Sequence, residues 1–176
     1  MIEGVDLATR AQRIRVIGFD VDGVCTDGRL YYGPTGEALH AFCSRDGLGI
    51  VLARKAGIIM AAITGRVSPN VQARLGELKV PHIVQGVIKK AEAFGAVLEQ
   101  VGATWEEAAF IGDDVNDVPC LKRAGLAACV PDAADGVSDF VHVVTRRKGG
   151  EGALRELIEI VLRGQGRWSA DGEGFT

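Results

Sequence analysis

Short apolar runs alternate with amphipathic segments along most of the chain, and this alternation limits the fold to a few architectures. The runs that read as buried strands lie at residues 14–21, 58–63, 83–84, 108–111, 126–130 and 141–144. Helical patterns lie between or after them, at residues 46–55, 68–78, 90–101 and 153–162. Because helical crossovers join parallel strands, this order predicts an α/β fold: a doubly wound parallel sheet with helices on both faces.

The segment after the first strand departs from this alternation. Residues 31–32 and 39–42 carry apolar and aromatic side chains and flank GPTGE at residues 33–37, which predicts a β-hairpin with a turn of several residues. From there to Lys90 the chain has room for two helices and two short strands only. We therefore predict that no cap domain is inserted.

Length and charge restrict the class of protein further. The 176 residues suit a single domain, and we predict an N-terminal extension over residues 1–12, a domain over residues 13–163 and a flexible, glycine-rich tail over residues 164–176. A net charge of −3 argues against a nucleic-acid partner. No apolar run reaches about 18 residues, which argues against a membrane partner.

The N-terminal residues and the cysteines indicate the cellular compartment of the protein. Residues 1–15 are interrupted by charges and lack the apolar segment of a secretory signal. The four cysteines form no C-x-x-C pair, so they read as reduced thiols and not as a zinc site or a disulfide framework. We therefore expect a cytoplasmic protein.

Acidic residues are concentrated where predicted strands end. DVDG follows the first strand at residues 20–23, TGR the second at 64–66 and GDDVND the fourth at 112–117, while Lys90 begins the helix after the third. Open parallel sheets bind ligands at the carboxyl ends of their strands. Five carboxylates, one threonine hydroxyl and one ammonium group are therefore expected to share one crevice.

Carboxylates at this density repel one another, and a bound divalent cation would relieve the repulsion. All-oxygen ligands favour Mg²⁺. The other groups suit phosphoryl transfer, which needs positive charge around the transferring oxygens and a nucleophile held in line. Asp20 is the candidate nucleophile because carboxylates form aspartyl-phosphates. Asp22 is the candidate general acid and base, provided that a bend at Gly23 turns it back towards Asp20.

With these motifs, the chain resembles the haloacid dehalogenase superfamily of aspartate-nucleophile phosphatases. The matching stretches are DVDGVCTDG at 20–28, RDG at 45–47, ITGR at 63–66, QG at 85–86 with Lys90, GDD at 112–114 and GGEG at 149–152. Within the superfamily the chain is similar to the capless branch that acts on sugar-acid phosphates. The resemblance implies the Rossmann-like haloacid dehalogenase fold and Mg²⁺-dependent hydrolysis of a phosphomonoester.

The resemblance also implies a role for each matching residue. Asp20 would attack phosphorus and bind Mg²⁺ through its carboxylate. Asp22 would bind Mg²⁺ through its carbonyl oxygen while its side chain protonates the leaving oxygen and then activates water. Asp113 would be the third protein ligand of the metal. Thr64 and Lys90 would hold the phosphoryl oxygens.

Two further acidic residues would act indirectly, through groups that contact the metal or the phosphoryl oxygens. Asp114 would act through a metal-bound water, and Asp117 would orient Lys90. As an alternative, Asp117 could simply cap the helix that follows it. Lys89 competes for the role of Lys90, but the spacing from residues 85–86 favours Lys90.

The resemblance implies a substrate that carries a carboxylate as well as a phosphate. The candidate substrate-binding residues are Gly65, Arg66, Arg45, Asp46 and Arg74. The arginine fork matches a carboxylate, and Arg66 and Arg45 favour 3-deoxy-D-manno-octulosonate 8-phosphate, a substrate of lipopolysaccharide biosynthesis. Residues 43–44 and Glu151 depart from the octulosonate pattern, so a nonulosonate (sialic-acid-like) 9-phosphate remains an alternative.

Without a cap, the site would need cover from a neighbouring chain. In the resembled branch the hairpin after the first motif packs into a tetramer, and we expect the same homotetramer here. The rival classes are a receiver domain that is phosphorylated on an aspartate and an inactive regulatory domain of the same fold. The three histidines, His40, His82 and His142, are interpreted as structural.

Overall fold

The computed structural model describes residues 6–169, and its main feature is one sheet of six parallel strands. In spatial order the strands are β5-β4-β1-β6-β7-β8. Their bounds are β1 Val16–Phe19, β4 Ile59–Ile63, β5 His82–Val84, β6 Ala108–Gly112, β7 Leu126–Cys129 and β8 Val143–Val144. The predicted strands are all present: β1, β4, β7 and β8 are shorter than predicted, and β5 and β6 are each one residue longer.

Helices cover both faces of this sheet. Their bounds are α1 Leu7–Arg13, α2 Ser44–Lys55, α3 Pro69–Glu77, α4 Lys90–Gln100, α5 Val118–Leu121 and α6 Ala153–Gly164. Helices α1, α2, α3 and α6 share one apolar core with the sheet, and α4 and α5 share the other. The doubly wound parallel fold is therefore confirmed. Within residues 6–169, no helix is long and apolar enough to span a bilayer.

Strand β1 lies at the centre of the sheet and is buried along its whole length. Its register pairs Phe19 with Ala62 of β4 and with Ile111 of β6, so the three strands end level with one another. Gly18 allows the aromatic rings of α4 and β6 to approach the strand, because a Cβ there would overlap them. The sheet thus brings the segments after β1, β4 and β6 to one edge.

The hairpin forms a separate two-stranded sheet and is tighter than we predicted. Strands β2 (Tyr31–Gly33) and β3 (Gly36–Leu39) are antiparallel, and only residues 34–35 join them. Gly36 makes this turn possible because its φ of +115° is open to glycine. The prediction of a turn over residues 33–37 and a second strand over 39–42 was therefore wrong. Within the described residues nothing larger interrupts the α/β order, and no cap domain is present.

The described parts of the predicted extension and tail pack on the domain. Residues 7–13 form helix α1, which sequence reasoning missed, and its Ala11 is fully buried beside Gly164 of α6. Gln165 Nε2 donates hydrogen bonds to the carbonyl oxygens of Ala11 and Ile14. Residues 165 and 167, at the start of the predicted tail, therefore bond to the body of the protein. Residues 1–5 and 170–176 lie outside the described residues.

Candidate active site

The carboxyl ends of β1, β4 and β6 surround a cavity of about 260 Å³. Its lining residues are Asp20, Asp22, Gly28, Thr64, Gly65, Arg66, Lys90, Asp113, Asp114 and Asn116. All ten residues come from the motif segments that the sequence analysis named. The cavity also lies at the edge of the sheet where open parallel sheets bind ligands. The cavity is therefore the candidate active site.

A sharp turn after β1 brings Asp20 and Asp22 into this cavity together. The N–H of Asp20 still continues the sheet by donating to Ile111 O at 3.0 Å. The chain then folds back at Gly23, whose φ is +87°. A Cβ at Gly23 would overlap the Asp113 carboxylate. The glycine thus makes the bend that we predicted and also admits the carboxylate of the neighbouring strand.

Three acidic side chains converge below the turn. Carboxylate oxygens of Asp20, Asp113 and Asp117 lie within 4.8 Å of one another. Asp113 Oδ1 is buried and makes no hydrogen bond within the described part of the chain. Burial, reinforced by the charges of Asp20 and Asp117, raises the pKa of Asp113 to about 8. Burial and the charge of Asp117 raise the pKa of Asp20 to about 6, against the opposing charge of Lys90. The donor set and this unrelieved charge fit a divalent cation.

Lys90 supplies a cation inside this acidic group. Its buried Nζ lies 2.9 Å from Asp20 Oδ1 and 2.8 Å from Asp117 Oδ1. Burial alone would lower the pKa of Lys90, but the two carboxylates outweigh it and raise the pKa. Lys89 is exposed and pairs with Glu92 at 2.9 Å. The structure therefore brings Lys90, and not Lys89, to the cavity.

Asp117 fastens the loop that carries Asp113. Its Oδ2 accepts hydrogen bonds from the main-chain N–H groups of Asp113 at 3.1 Å and Asp114 at 3.3 Å. Although it precedes α5, its side chain does not cap that helix. Gly112 permits the close approach, because a Cβ there would overlap the Asp117 side chain. Asp114 itself is exposed at the mouth of the cavity.

Thr64 and Gly65 close the cavity at the end of β4. Thr64 is buried, and its N–H donates to Val84 O at 2.9 Å, which extends the sheet by one residue. Its carbonyl oxygen accepts from the N–H of Val87. Both main-chain polar groups of Thr64 are therefore hydrogen-bonded, and the residue lines the cavity together with Lys90.

The hairpin contributes two residues to the site that sequence reasoning missed. His40 Nε2 lies 3.0 Å from Asp22 Oδ1, and His40 Nδ1 lies 2.8 Å from Glu37 Oε1. Arg66 spans the same two oxygens, with Nη2 3.1 Å from Glu37 Oε1 and Nη1 3.6 Å from Asp22 Oδ1. His40, which we interpreted as structural, thus contacts a predicted catalytic residue. A histidine eighteen residues away from Asp22 gave no local pattern that would have identified it.

Three predicted substrate-binding residues do not line the cavity. Asp46 is buried, and its Oδ1 accepts a hydrogen bond from the main-chain N–H of Arg155. Arg74 pairs with Glu77 at 2.9 Å, and Arg45 lies beside Gly152. These three residues lie on α2 and α3, and their side-chain contacts are with helix residues and the loop before α6. Of the five predicted residues, the cavity contains Gly65 and Arg66.

Comparison with known proteins agrees with this fold and identifies the family. The family model for haloacid dehalogenase-like hydrolases matches residues 44–125. The 3-deoxy-D-manno-octulosonate 8-phosphate phosphatase KdsC of Escherichia coli K12 is 40% identical over 162 residues, which are 92% of this chain and 86% of the relative. The phosphatase of the same name from Haemophilus influenzae is 38% identical over 91% of this chain and 89% of its own length.

Solved structures give the same result. The 3-deoxy-D-manno-octulosonate 8-phosphate phosphatase of Yersinia pestis has a TM-score of 0.89 at 39% identity and covers 92% of this chain and 87% of its own. The Moraxella catarrhalis phosphatase of this name, solved with magnesium, phosphate and KDO, has a TM-score of 0.92 at 34% identity, with 97% and 98% covered. The chain belongs to the haloacid dehalogenase-like hydrolases and, among them, to the 3-deoxy-D-manno-octulosonate 8-phosphate phosphatase family.

Proposed function

We propose that this protein hydrolyses 3-deoxy-D-manno-octulosonate 8-phosphate to octulosonate and phosphate through an aspartyl-phosphate on Asp20. The observation that carries the proposal is the buried contact of Asp20 with Lys90 at 2.9 Å, next to Asp113 Oδ1, which makes no hydrogen bond within the described residues. This arrangement offers a nucleophile, a cation for the phosphoryl group and a metal ligand at one point. Family membership supplies the substrate class.

Mg²⁺ fits the acidic group. The Asp20 and Asp113 carboxylates and the Asp22 carbonyl oxygen would hold it, and Asp117 would keep the Asp113 loop in place through its two hydrogen bonds. Related phosphatases have been solved with magnesium and with cobalt. When bound, the metal would neutralise the phosphoryl oxygens and stabilise the charge that develops during transfer.

The side chains of the site divide the reaction between them. The Asp20 carboxylate forms the new bond to phosphorus while the bond to the sugar oxygen breaks, and Asp22 gives that oxygen its proton. Water then attacks the phosphorus of the aspartyl-phosphate and passes a proton to the Asp22 carboxylate, which releases phosphate and regenerates Asp20. Lys90 and Thr64 hold the phosphoryl oxygens during both steps.

Arg66 is the best-placed partner for the carboxylate of the sugar acid. Its Nη1 is buried and makes no hydrogen bond within the described residues, although Glu37 holds the other end of the guanidinium group at 3.1 Å. A buried N–H group that lines the cavity without a hydrogen bond, 3.6 Å from Asp22 Oδ1, favours a carboxylate ligand. Arg45 and Arg74 could act only from a neighbouring subunit, because they do not reach the cavity of their own chain.

A nonulosonate 9-phosphate is the second candidate substrate because of the loop that carries Glu151. The N–H of Gly150 donates to Val24 O at 3.0 Å, which places this loop against the turn that follows Asp20. A carboxylate at residue 151 changes the charge near the mouth of the cavity. The two candidates are separated by kcat/KM for each sugar-acid phosphate, with p-nitrophenyl phosphate as the reference. A preference for the nonulosonate would refute 3-deoxy-D-manno-octulosonate 8-phosphate as the substrate but would leave the proposed phosphatase mechanism intact.

A homotetramer is also part of the proposal. Four large apolar side chains are exposed on or beside the hairpin: Leu30, Tyr31, Tyr32 and Leu39, with 45%, 42%, 67% and 66% exposure. An isolated two-stranded sheet is marginal in water, and burial against further copies would cover both its edges and these side chains. We place the enzyme in the cytoplasm, where its four free cysteines would stay reduced.

A further inference from the structure

Asp22 belongs to a closed ring of four side chains. His40 and Arg66 each span the same two carboxylate oxygens, Asp22 Oδ1 and Glu37 Oε1. The His40 side chain is fully buried in this ring, although the hairpin that precedes it is exposed. Ser68 Oγ lies 3.3 Å from His40 Nδ1 and limits its rotation further.

The two contacts to Asp22 are not equivalent. The distance from His40 Nε2 to Asp22 Oδ1 is 3.0 Å, which is a hydrogen bond, whereas Arg66 Nη1 lies at 3.6 Å, beyond hydrogen-bond range. Asp22 is one-fifth exposed and faces open space in the cavity, so a free carboxylate there would rotate. The short contact from His40 fixes Oδ1 and leaves the other oxygen to face the substrate.

We propose that His40 is a positioning residue that orients the Asp22 carboxylate for proton transfer to the leaving oxygen. The inference rests on the proposed role of Asp22 as general acid and base. It also gives the hairpin a part in the chemistry of its own chain, separate from any part in assembly. Glu37 completes the arrangement by holding the opposite nitrogen of the ring at 2.8 Å.

The dependence on the leaving group tests this role. A sugar alkoxide needs a proton as it leaves, whereas p-nitrophenolate leaves without one, and kcat/KM reports only the steps up to that departure. We expect His40→Ala to lower kcat/KM about 10- to 100-fold for 3-deoxy-D-manno-octulosonate 8-phosphate and less than about threefold for p-nitrophenyl phosphate. His40→Gln, which keeps one N–H donor, should recover part of the loss.

Two controls separate positioning from a general structural effect. His82→Ala removes a half-buried histidine from β5, outside the cavity, and should leave the ratio of the two kcat/KM values unchanged. In an Asp22→Asn background, His40→Ala should lower kcat/KM for the sugar substrate less than about twofold, because its target is already lost. Melting temperature and light scattering show whether each variant remains folded and assembled.

Equal losses for both substrates, or full additivity with Asp22→Asn, would overturn the positioning role. A different result would refute the proposed function itself: an Asp20→Asn variant that keeps its phosphatase activity. If His40→Ala does not fold, His40→Gln and Glu37→Gln still test the ratio, because both retain side chains of similar size. An unchanged ratio in both folded variants would also refute the proposal.

Discussion

Asp46 Oδ1 accepts a hydrogen bond from the main-chain N–H of Arg155 at 2.7 Å, across 109 residues of sequence. Arg155 is the third residue of α6, and Gly152, the residue at the N-cap, has no side chain to offer. The carboxylate of α2 therefore takes the place of the missing cap. Burial raises the pKa of Asp46 to about 6, with the Arg155 N–H acting in the opposite direction.

This contact predicts a pH-dependent stability difference for Asp46→Asn. Because the folded protein holds the Asp46 proton more tightly, wild-type stability falls as pH rises from about 4 to about 6. The asparagine cannot ionise, so we expect it to gain up to about 3 kcal/mol relative to wild type between pH 4 and pH 7. Urea unfolding of both proteins in EDTA at the two pH values measures this change. A pH-independent difference would contradict the buried titration.

Metal binding should stabilise the protein more at high pH than at low pH. Asp113 and Asp20, with pKa values of about 8 and 6, bind protons more tightly when folded, so the metal-free protein loses stability as pH rises through this range. Mg²⁺ competes with those protons. We expect a larger rise in melting temperature with Mg²⁺ at pH 8 than at pH 6.

Two aspartate substitutions, one in the cavity and one on the exposed surface, provide the test and its control. Asp113→Asn should remove the Mg²⁺-dependent rise in melting temperature, while Asp139→Asn, a change at an exposed aspartate elsewhere, should keep it. EDTA should abolish the activity and Mg²⁺ restore it, with Ca²⁺ a poor substitute because its coordination is larger and looser. Full activity in EDTA would rule out the metal requirement.

Substitutions of Asp20 and Asp22 should affect different steps of the reaction. Asp20→Asn removes the nucleophile and should lower kcat about 10³-fold or more while the fold is kept. Asp22→Asn should slow both steps and, with p-nitrophenyl phosphate, allow phosphorylated protein to accumulate, because the water that attacks it lacks a base. Intact-protein mass after acid quench detects the intermediate. Phosphorylation of Asp20→Asn at another residue would disprove the assigned nucleophile.

Lys90 and Lys89 form a matched pair of neighbouring lysines. Lys90→Met leaves Asp20 and Asp117 buried without their cation, which should destabilise the metal-free fold by about 3–5 kcal/mol and abolish activity. Lys89→Met removes only an exposed pair with Glu92, which contributes about 0–1 kcal/mol. Denaturant unfolding and kcat/KM of the two variants give the comparison. Similar effects at both positions would contradict the assignment of Lys90.

Assembly should depend on the exposed side of the hairpin. Tyr32→Asp combined with Leu39→Asp places two charges at the most exposed apolar positions of the hairpin, and should convert a tetramer into smaller species in light scattering. Activity towards the sugar acid should fall more than activity towards p-nitrophenyl phosphate, which needs less enclosure. A fully active wild-type monomer would refute the need for a neighbouring chain.

The sequence predicts the cavity well because its residues follow strands directly. Asp20, Thr64 and Asp113 each come one or two positions after a buried strand, and a parallel sheet brings such positions together without any further information. Apolar periodicity therefore predicted both the sheet and the floor of the site. The choice of Lys90 over Lys89 followed from motif spacing and matches the observed orientation of the two side chains.

Contacts between distant segments could not be predicted in this way. The hydrogen bond from Arg155 to Asp46 depends on how α2 packs against α6, and no pattern within either helix encodes it. His40 contacts Asp22 from the residue after β3, and the hairpin turn at Gly36 that precedes it is tighter than the sequence predicts. Motif resemblance assigned Asp46 to the substrate because it cannot distinguish a residue that binds ligand from one that supports a helix.

The position of β1 in the sheet has a consequence for amide hydrogen exchange. Its four residues are buried and paired with strands on both sides, so exposing the amides next to Asp20 requires both apolar cores to open. Among the described residues the two hairpin strands pair only with each other, so opening the hairpin breaks the contacts of Glu37 and His40 with Arg66 and Asp22 but leaves the sheet closed. We therefore expect the amides of β1 to exchange through global unfolding, and those of the hairpin that carries Glu37 to exchange by local opening unless neighbouring copies protect them.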